Sequence, residues 1–156
     1  MNIKITYPNW EQKEEKYEDI LQKSKYTILY FYPKDNTPGC SIEAEDFHKY
    51  MPDFANLDCQ ILWVSKDDHK SHCKFISKFE LSFPLISDEE LDLSKKFDVR
   101  QKKKFMWKEY MGMVRSTFVL DCNDKIIITY LDVSVTNHAK QVLSDLQAIC
   151  NLDMPK

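Results

Sequence analysis

Thr27-Ile28-Leu29-Tyr30-Phe31-Tyr32, followed without interruption by Pro33-Lys34-Asp35-Asn36-Thr37-Pro38-Gly39-Cys40, is the stretch from which the fold can be read. The first six residues are β-branched, aromatic or leucine, the composition of a strand buried on both faces. Pro33 ends that run because it has no N–H for a sheet ladder, and Thr37-Pro38-Gly39 reads as a tight turn. Beyond it, Ser41-Ile42-Glu43-Ala44-Glu45-Asp46-Phe47 mixes helix formers with acids, and Ile42 and Phe47 are expected to point inward. Cys40 is therefore placed in or just before a first helical turn. Unpaired N–H groups and the positive end of the helix macrodipole favour a thiolate over a thiol there, and the thiolate is the reactive form.

Working outward, Cys59–Ser65 is a second buried strand, followed by polar Lys66-Asp67-Asp68 and a helix over His69–Phe79. Strand, helix, strand, helix implies a parallel pair. Leu85-Ile86-Ser87 is a short strand, and Glu89–Phe97 a short helix carrying Leu91, Leu93 and Phe97. Thr117–Leu120 and Lys125–Tyr130 flank the turn residues Asp121-Cys122-Asn123-Asp124 and form a hairpin. Asn137 is placed to cap a last helix whose Val142, Leu146, Ile149 and Cys150 share one face. Glu11–Lys25, charge-rich with scattered Tyr17, Ile20 and Leu21, reads either as a helix or as an irregular strand.

The chain has 156 residues, a length suited to one domain with a sizeable core. A net charge of −3 with interspersed signs gives no broad basic surface, which excludes nucleic acid as an expected partner. The densest basic run, Arg100–Lys104, reads as a solvated loop, and Met106-Trp107 with Tyr110-Met111 as an apolar loop wall or satellite packing. Residues 1–10 lack a charged start followed by an apolar core, and no run approaches the ~20 apolar residues of a membrane span. A soluble, unsecreted protein is expected. Five cysteines is an odd count, without Cys-x-x-Cys or a paired Cys/His pattern for zinc. Free thiols in a chain without a signal fit a reducing cytosol, where a disulfide is transient and catalytic. One of only two glycines is Gly39, placed where the backbone is expected to bend. His48, His69, His72 and His138 have no triad or metal spacing and read as surface residues.

Pro33, Thr37 and Cys40 stand in a Pro-x-x-x-Thr-x-x-Cys arrangement that resembles the peroxiredoxins. The fuller string from Phe31 to Ala44 is similar to the peroxiredoxin Q group, also called bacterioferritin comigratory proteins. Phe83-Pro84-Leu85-Ile86-Ser87-Asp88 and the segment Gly112–Asp121 resemble the same group. The resemblance implies what the element order describes, a thioredoxin-like α/β fold with a central mixed sheet flanked by helices. It implies one domain over residues 1–156, with an atypical segment over 1–25, since the family's Gly-Asp-x-Ala-Pro-like opening and its hairpin pattern are both missing. The implied activity is thiol-dependent reduction of hydrogen peroxide and small organic hydroperoxides through a cysteine sulfenic acid at Cys40. No metal, haem or flavin is implied. The implied setting is cytoplasmic, with thioredoxin or another thiol donor as reductant, no membrane partner, and a monomer or weak dimer.

Attack of sulfur on a peroxide oxygen needs an anionic sulfur and hydrogen-bond donors for the oxygens, on one of which negative charge develops. Backbone N–H groups around Gly39 and Cys40, the Thr37 hydroxyl and a fixed cation meet those needs. By resemblance Arg115 is that cation, Glu43 the acid that orients it, and Pro33 the residue that shields the sulfur and shapes the pocket floor. Each also has a plainer reading: a small buried thiol, a strand-end cation, a first-turn acid. The second cysteine that the group most often carries five residues after the nucleophile is replaced here by Glu45. Cys73 on the His69–Phe79 helix is then either the resolving cysteine, as in some family members, or a core residue beside Ile76 and Phe79. Cys59 and Cys150 read as structural, and Cys122 as an exposed bystander. A thiol-disulfide oxidoreductase would need a neighbouring cysteine where Thr37 or Glu43 stands. A chaperone or interaction module on the same fold would leave peroxide untouched.

Overall fold

The computed structural model describes residues 1–131, 133 and 137–153, and for Pro38, Lys103, Lys104, Phe105, Tyr110, Leu152 and Asp153 the backbone alone. In chain order the elements are β1 Asn2–Thr6, β2 Gln12–Lys16, α1 Tyr17–Leu21, β3 Tyr26–Phe31, α2 Pro38–Asn56, β4 Cys59–Ser65 and α3 His69–Phe79. They continue with β5 Leu85–Ser87, α4 Asp92–Lys96, β6 Arg100–Phe105, β7 Lys108–Met113, β8 Ser116–Asp121, β9 Ile126–Tyr130 and α5 His138–Asp153. Seven strands form a mixed sheet in the order β2-β1-β5-β4-β3-β8-β9, the thioredoxin-like architecture expected. β3 lies at its heart, parallel to β4 and antiparallel to β8, and all six of its residues are buried. Its two faces feed two cores, with Ile28 and Tyr30 beneath α2, α3 and α5 and with Leu29 and Phe31 beneath α1 and α4. A run of continuous apolar strand residues is what such a doubly covered position requires.

Five local readings need correction. The opening segment is a hairpin after all, with β1 and β2 paired antiparallel from Asn2↔Lys16 to Thr6↔Gln12, and only Tyr17–Leu21 is helical. Its strand character is hidden because β2 is an edge strand facing solvent, and its polar residues, Gln12–Lys16, carry no apolar alternation. Arg100–Lys104 is not a loop but part of a second hairpin, β6 with β7. Met106 and Trp107 form that hairpin's tip, Trp107 being 90% exposed, so they pack no wall; the side chain of Tyr110 lies outside the described residues. Ile42 is 51% exposed, because it stands two residues from Cys40 and opposite the Cys40, Ala44 and Phe47 face of α2. Neither glycine adopts positive φ; Asn36, Asp58, Asp98, Asp124 and Asn137 take the left-handed positions among others. Gly39 thus contributes a missing Cβ inside the first turn of α2 rather than a bend. No helix among the described residues is long and apolar enough to cross a membrane.

Candidate active site

The register of β3 against β8 assembles the site. Phe31 pairs with Ser116, so the turn that follows β3 and the residue that precedes β8 meet at one end of the sheet. That juxtaposition brings together Cys40 and Arg115, 75 residues apart. The backbone of Arg115 is fixed there by the Val133 N–H, which donates to its carbonyl at 2.9 Å.

Cys40 is the third residue of α2 and is fully buried. Thr37 occupies the N-cap position with extended backbone, yet its side chain caps nothing. Its hydroxyl instead donates toward the Cys40 sulfur at 2.9 Å, with the Lys34 carbonyl an alternative acceptor at 3.3 Å. The ordinary use of an N-cap threonine is to satisfy a first-turn N–H; here the first-turn amides have no side-chain cap and the hydroxyl serves the sulfur. As a thiol, Cys40 donates to the Lys34 carbonyl at 3.1 Å. Ionisation removes that donation and leaves Thr37 and the Arg115 guanidinium, whose Nη1 is 3.4 Å from Sγ, to stabilise the anion. Arg115 Nη2 donates to Thr37 Oγ1 at 3.4 Å.

Tyr30 is a site residue that strand composition concealed. Arg115 Nη1 donates to its hydroxyl at 3.1 Å, and the ring is clamped by Trp63 at 4.6 Å and Phe47 at 5.9 Å between centroids. Burial pushes the Tyr30 hydroxyl well above its ordinary pKa, so it remains a neutral acceptor for the guanidinium. Within β3 a tyrosine is one more aromatic, and only the 3D position of its hydroxyl separates it from Tyr26.

Glu43 sits on the inner face of α2 and is buried, but among the described residues neither carboxyl oxygen has a hydrogen-bond partner. The expected contact with Arg115 is absent because the fork is already engaged by Tyr30, Cys40 and Thr37. Burial first, and Asp46 second, push the Glu43 pKa up to about 8 against the opposing pull of Arg115. A carboxyl of raised pKa keeps a proton in the folded state that the unfolded chain releases. Stability is therefore fully present below about pH 4.5 and lost as pH rises toward about 8. Glu43→Gln should raise the melting temperature at pH 8 and flatten this fall; unchanged melting at pH 8 would contradict it.

Pro33 is half-buried and lines a cleft of about 250 Å³ with Lys66, Leu91, Arg100, Met111, Gly112 and Met113; Cys40 is not among the lining residues. Cys73 is half-exposed, because the buried face of α3 is His72, Phe75 and Ile76. Its sulfur lies 3.5 Å from His69 Nε2 and 4.0 Å from the Trp10 carbonyl, and burial raises its pKa. All five cysteines are free thiols. Cys59 and Cys150 pack in or against the core, as read, whereas Cys122 is half-buried. Two histidines expected at the surface are buried: His138 bonds Thr117 Oγ1 at 2.7 Å, and His72 meets Asp35 at 2.8 Å. The i, i+3, i+4 spacing of His72, Phe75 and Ile76 was the available signal for the latter. Among the described residues no group of three or more His, Cys, Asp or Glu could hold a metal ion.

The family model described as the AhpC/TSA family matches residues 2–129. Peroxiredoxin Bcp of Bacillus subtilis is 46% identical over 125 residues, covering 80% of each chain. Peroxiredoxin Bcp of Xanthomonas campestris is 41% identical over 123 residues, 79% of this chain and 77% of that one. A solved cysteine-to-serine mutant of Xanthomonas campestris Peroxiredoxin Q superposes with a TM-score of 0.87 at 33% identity, over 96% of this chain and 90% of the other. A bacterioferritin comigratory protein from Xanthomonas campestris, described for its alkyl peroxide reduction activity, superposes at 0.84 with 34% identity, over 96% and 91%.

Proposed function

Because this chain belongs to the AhpC/TSA family and is a peroxiredoxin, a thiol-dependent peroxidase, we propose that Cys40 is its peroxidatic nucleophile and that hydrogen peroxide and small organic hydroperoxides are its substrates. The observation that carries this reading is the placement of the Thr37 hydroxyl and the Arg115 guanidinium around one buried sulfur. The Cys40 thiolate attacks one peroxide oxygen, the O–O bond breaks, and sulfur is oxidised to a sulfenic acid while the other oxygen leaves as hydroxide or alkoxide and takes a proton. Arg115 and Thr37 donate to the sulfur before attack and to the oxygens during it. Glu43, neutral below about pH 8, shapes the inner wall behind Cys40 rather than holding the arginine through a hydrogen bond.

Cys73 then resolves the intermediate: its thiol attacks the Cys40 sulfenic sulfur, a disulfide forms and water leaves. Thioredoxin or a comparable dithiol restores both thiols, with the protein acting in the cytoplasm as a monomer or weak dimer and as one domain over residues 1–156. The test is peptide mapping after one equivalent of peroxide. A Cys40–Cys73 linked peptide is expected. Cys40 as sulfenic or sulfinic acid beside a free Cys73 would make this a one-cysteine enzyme recycled by an external thiol, and unmodified Cys40 would remove it from the nucleophile's role.

A further inference from the structure

Asp35 lies in the turn between β3 and α2, five residues before Cys40, and His72 lies on α3 beside Cys73. Their side chains are 2% and 0% exposed, yet Asp35 Oδ2 is 2.8 Å from His72 Nδ1. The same carboxylate accepts from Ser71 Oγ at 2.8 Å and from the Tyr32 hydroxyl at 2.5 Å. His72 Nε2 faces the Ile86 carbonyl at 3.1 Å. A carbonyl only accepts, so Nε2 donates to it, and Nδ1 shares one proton with the Asp35 carboxyl group. The result is a hydrogen-bonded Asp–His pair in the core. The backbone N–H of Asp35 adds a bond to Asp67 Oδ2 at 2.8 Å, which also takes the Ser65 hydroxyl at 2.8 Å.

Peroxide reduction uses none of these groups, since the Cys40 sulfur is surrounded by Thr37, Lys34 and Arg115. A buried polar or ionic pair is weak evidence for stability, and its best-attested use is to fix one arrangement against alternatives. The arrangement fixed here joins the loop that carries the nucleophile to the helix that carries the second thiol. A disulfide requires Cα atoms roughly 4.4 to 6.8 Å apart. Among the described residues the Cys40 and Cys73 sulfurs share no hydrogen-bond partner, one turned to the arginine and the other to His69 and Trp10. Closing the bond requires both sulfurs to leave these partners and approach each other, and α3 is tethered at Ser71 and His72.

We propose that the Asp35–His72 pair is a latch between the nucleophile loop and α3 that sets the rate at which Cys73 reaches the oxidised Cys40. This rests on the reading of Cys73 as the resolving cysteine. While the latch is closed the sulfenic acid waits, and a second peroxide can convert it to sulfinic acid. When the latch opens, Cys73 attacks the Cys40 sulfenic sulfur and water leaves. Asp35 and His72 are positioning residues, acting through the two cysteines.

The test separates two steps by rapid quench and mass spectrometry in the full chain: oxidation of Cys40 by hydrogen peroxide, and closure of the Cys40–Cys73 disulfide. Asp35→Asn and His72→Gln disrupt the Asp–His pair but retain hydrogen-bonding groups, and Ser71→Ala removes one rim donor should those two fold poorly. The expected result is closure ~10-fold or more faster in the pair variants and several-fold faster in Ser71→Ala, with less sulfinic acid at a given peroxide concentration. General structural damage would slow closure or leave it unchanged, so either outcome, with the disulfide forming in the wild type, overturns the latch alone. A disulfide that forms only in the variants supports it. No disulfide in any protein, with Cys40 oxidised and Cys73 free, overturns the Cys73 reading and the latch with it.

Discussion

Cys40→Ser consumes no peroxide above the buffer background when dithiothreitol supplies the thiol, while its far-UV spectrum and cooperative melting persist. Serine replaces sulfur by a smaller oxygen that can still accept from Thr37 and Arg115, so packing around the fully buried position changes little. The chemistry does not survive the exchange, because a serine hydroxyl is hardly ionised near neutral pH and lacks the nucleophilicity of sulfur. Burial drives the pKa of Cys59 far up and that of Cys73 upward, which keeps both protonated. Sustained turnover in Cys40→Ser would place the nucleophile elsewhere and dissolve the site described around it.

Arg115→Ala slows the oxidation step by at least ~10²-fold, the scale of removing one preorganised donor from a developing charge. Thr37→Val has an effect of the same order. The arginine is singular because one planar fork spans three partners, Cys40 Sγ and Tyr30 at 3.4 and 3.1 Å through Nη1 and Thr37 at 3.4 Å through Nη2. A lysine ammonium is a point charge without that fork, so Arg115→Lys recovers only part of the loss. Stopped-flow measurement of peroxide reduction decides the matter, and an unchanged rate in Arg115→Ala would leave the residue a strand-end cation.

Much of the architecture was legible because its signals are local. The six buried residues of β3, the helical start at Cys40, β4 over Cys59–Ser65 and α3 over His69–Phe79 all follow from runs and periodicities in contiguous residues. Asp68 accepting from the Ser71 N–H even accounts for where α3 begins. The β1–β2 hairpin escaped because β2 is exposed and its residues, Gln12–Lys16, are polar, although β1 itself alternates with Ile3 and Ile5 buried. The β6–β7 hairpin escaped because the run Arg100–Lys104 has no apolar alternation. Pro33, Thr37 and Cys40 were visible as a motif since they share one turn, and Arg115 was visible through a segment whose resemblance covers the strand that follows it.

By itself the sequence determined the strand that stops at Pro33, the cysteine at a helix start, and the order of β-α-β units that places that helix on a mixed sheet. These are consequences of side-chain shape and backbone preference over a few residues. Only the tertiary structure decided that Arg115 bonds Tyr30 rather than Glu43, that Glu43 is buried without a hydrogen-bond partner among the described residues, and that His72 is a core residue paired with Asp35. Each of those depends on which groups meet across the sheet and on how much water is excluded where they meet. Sheet register and burial set both, and a linear string of residue types specifies neither until the chain has closed upon itself.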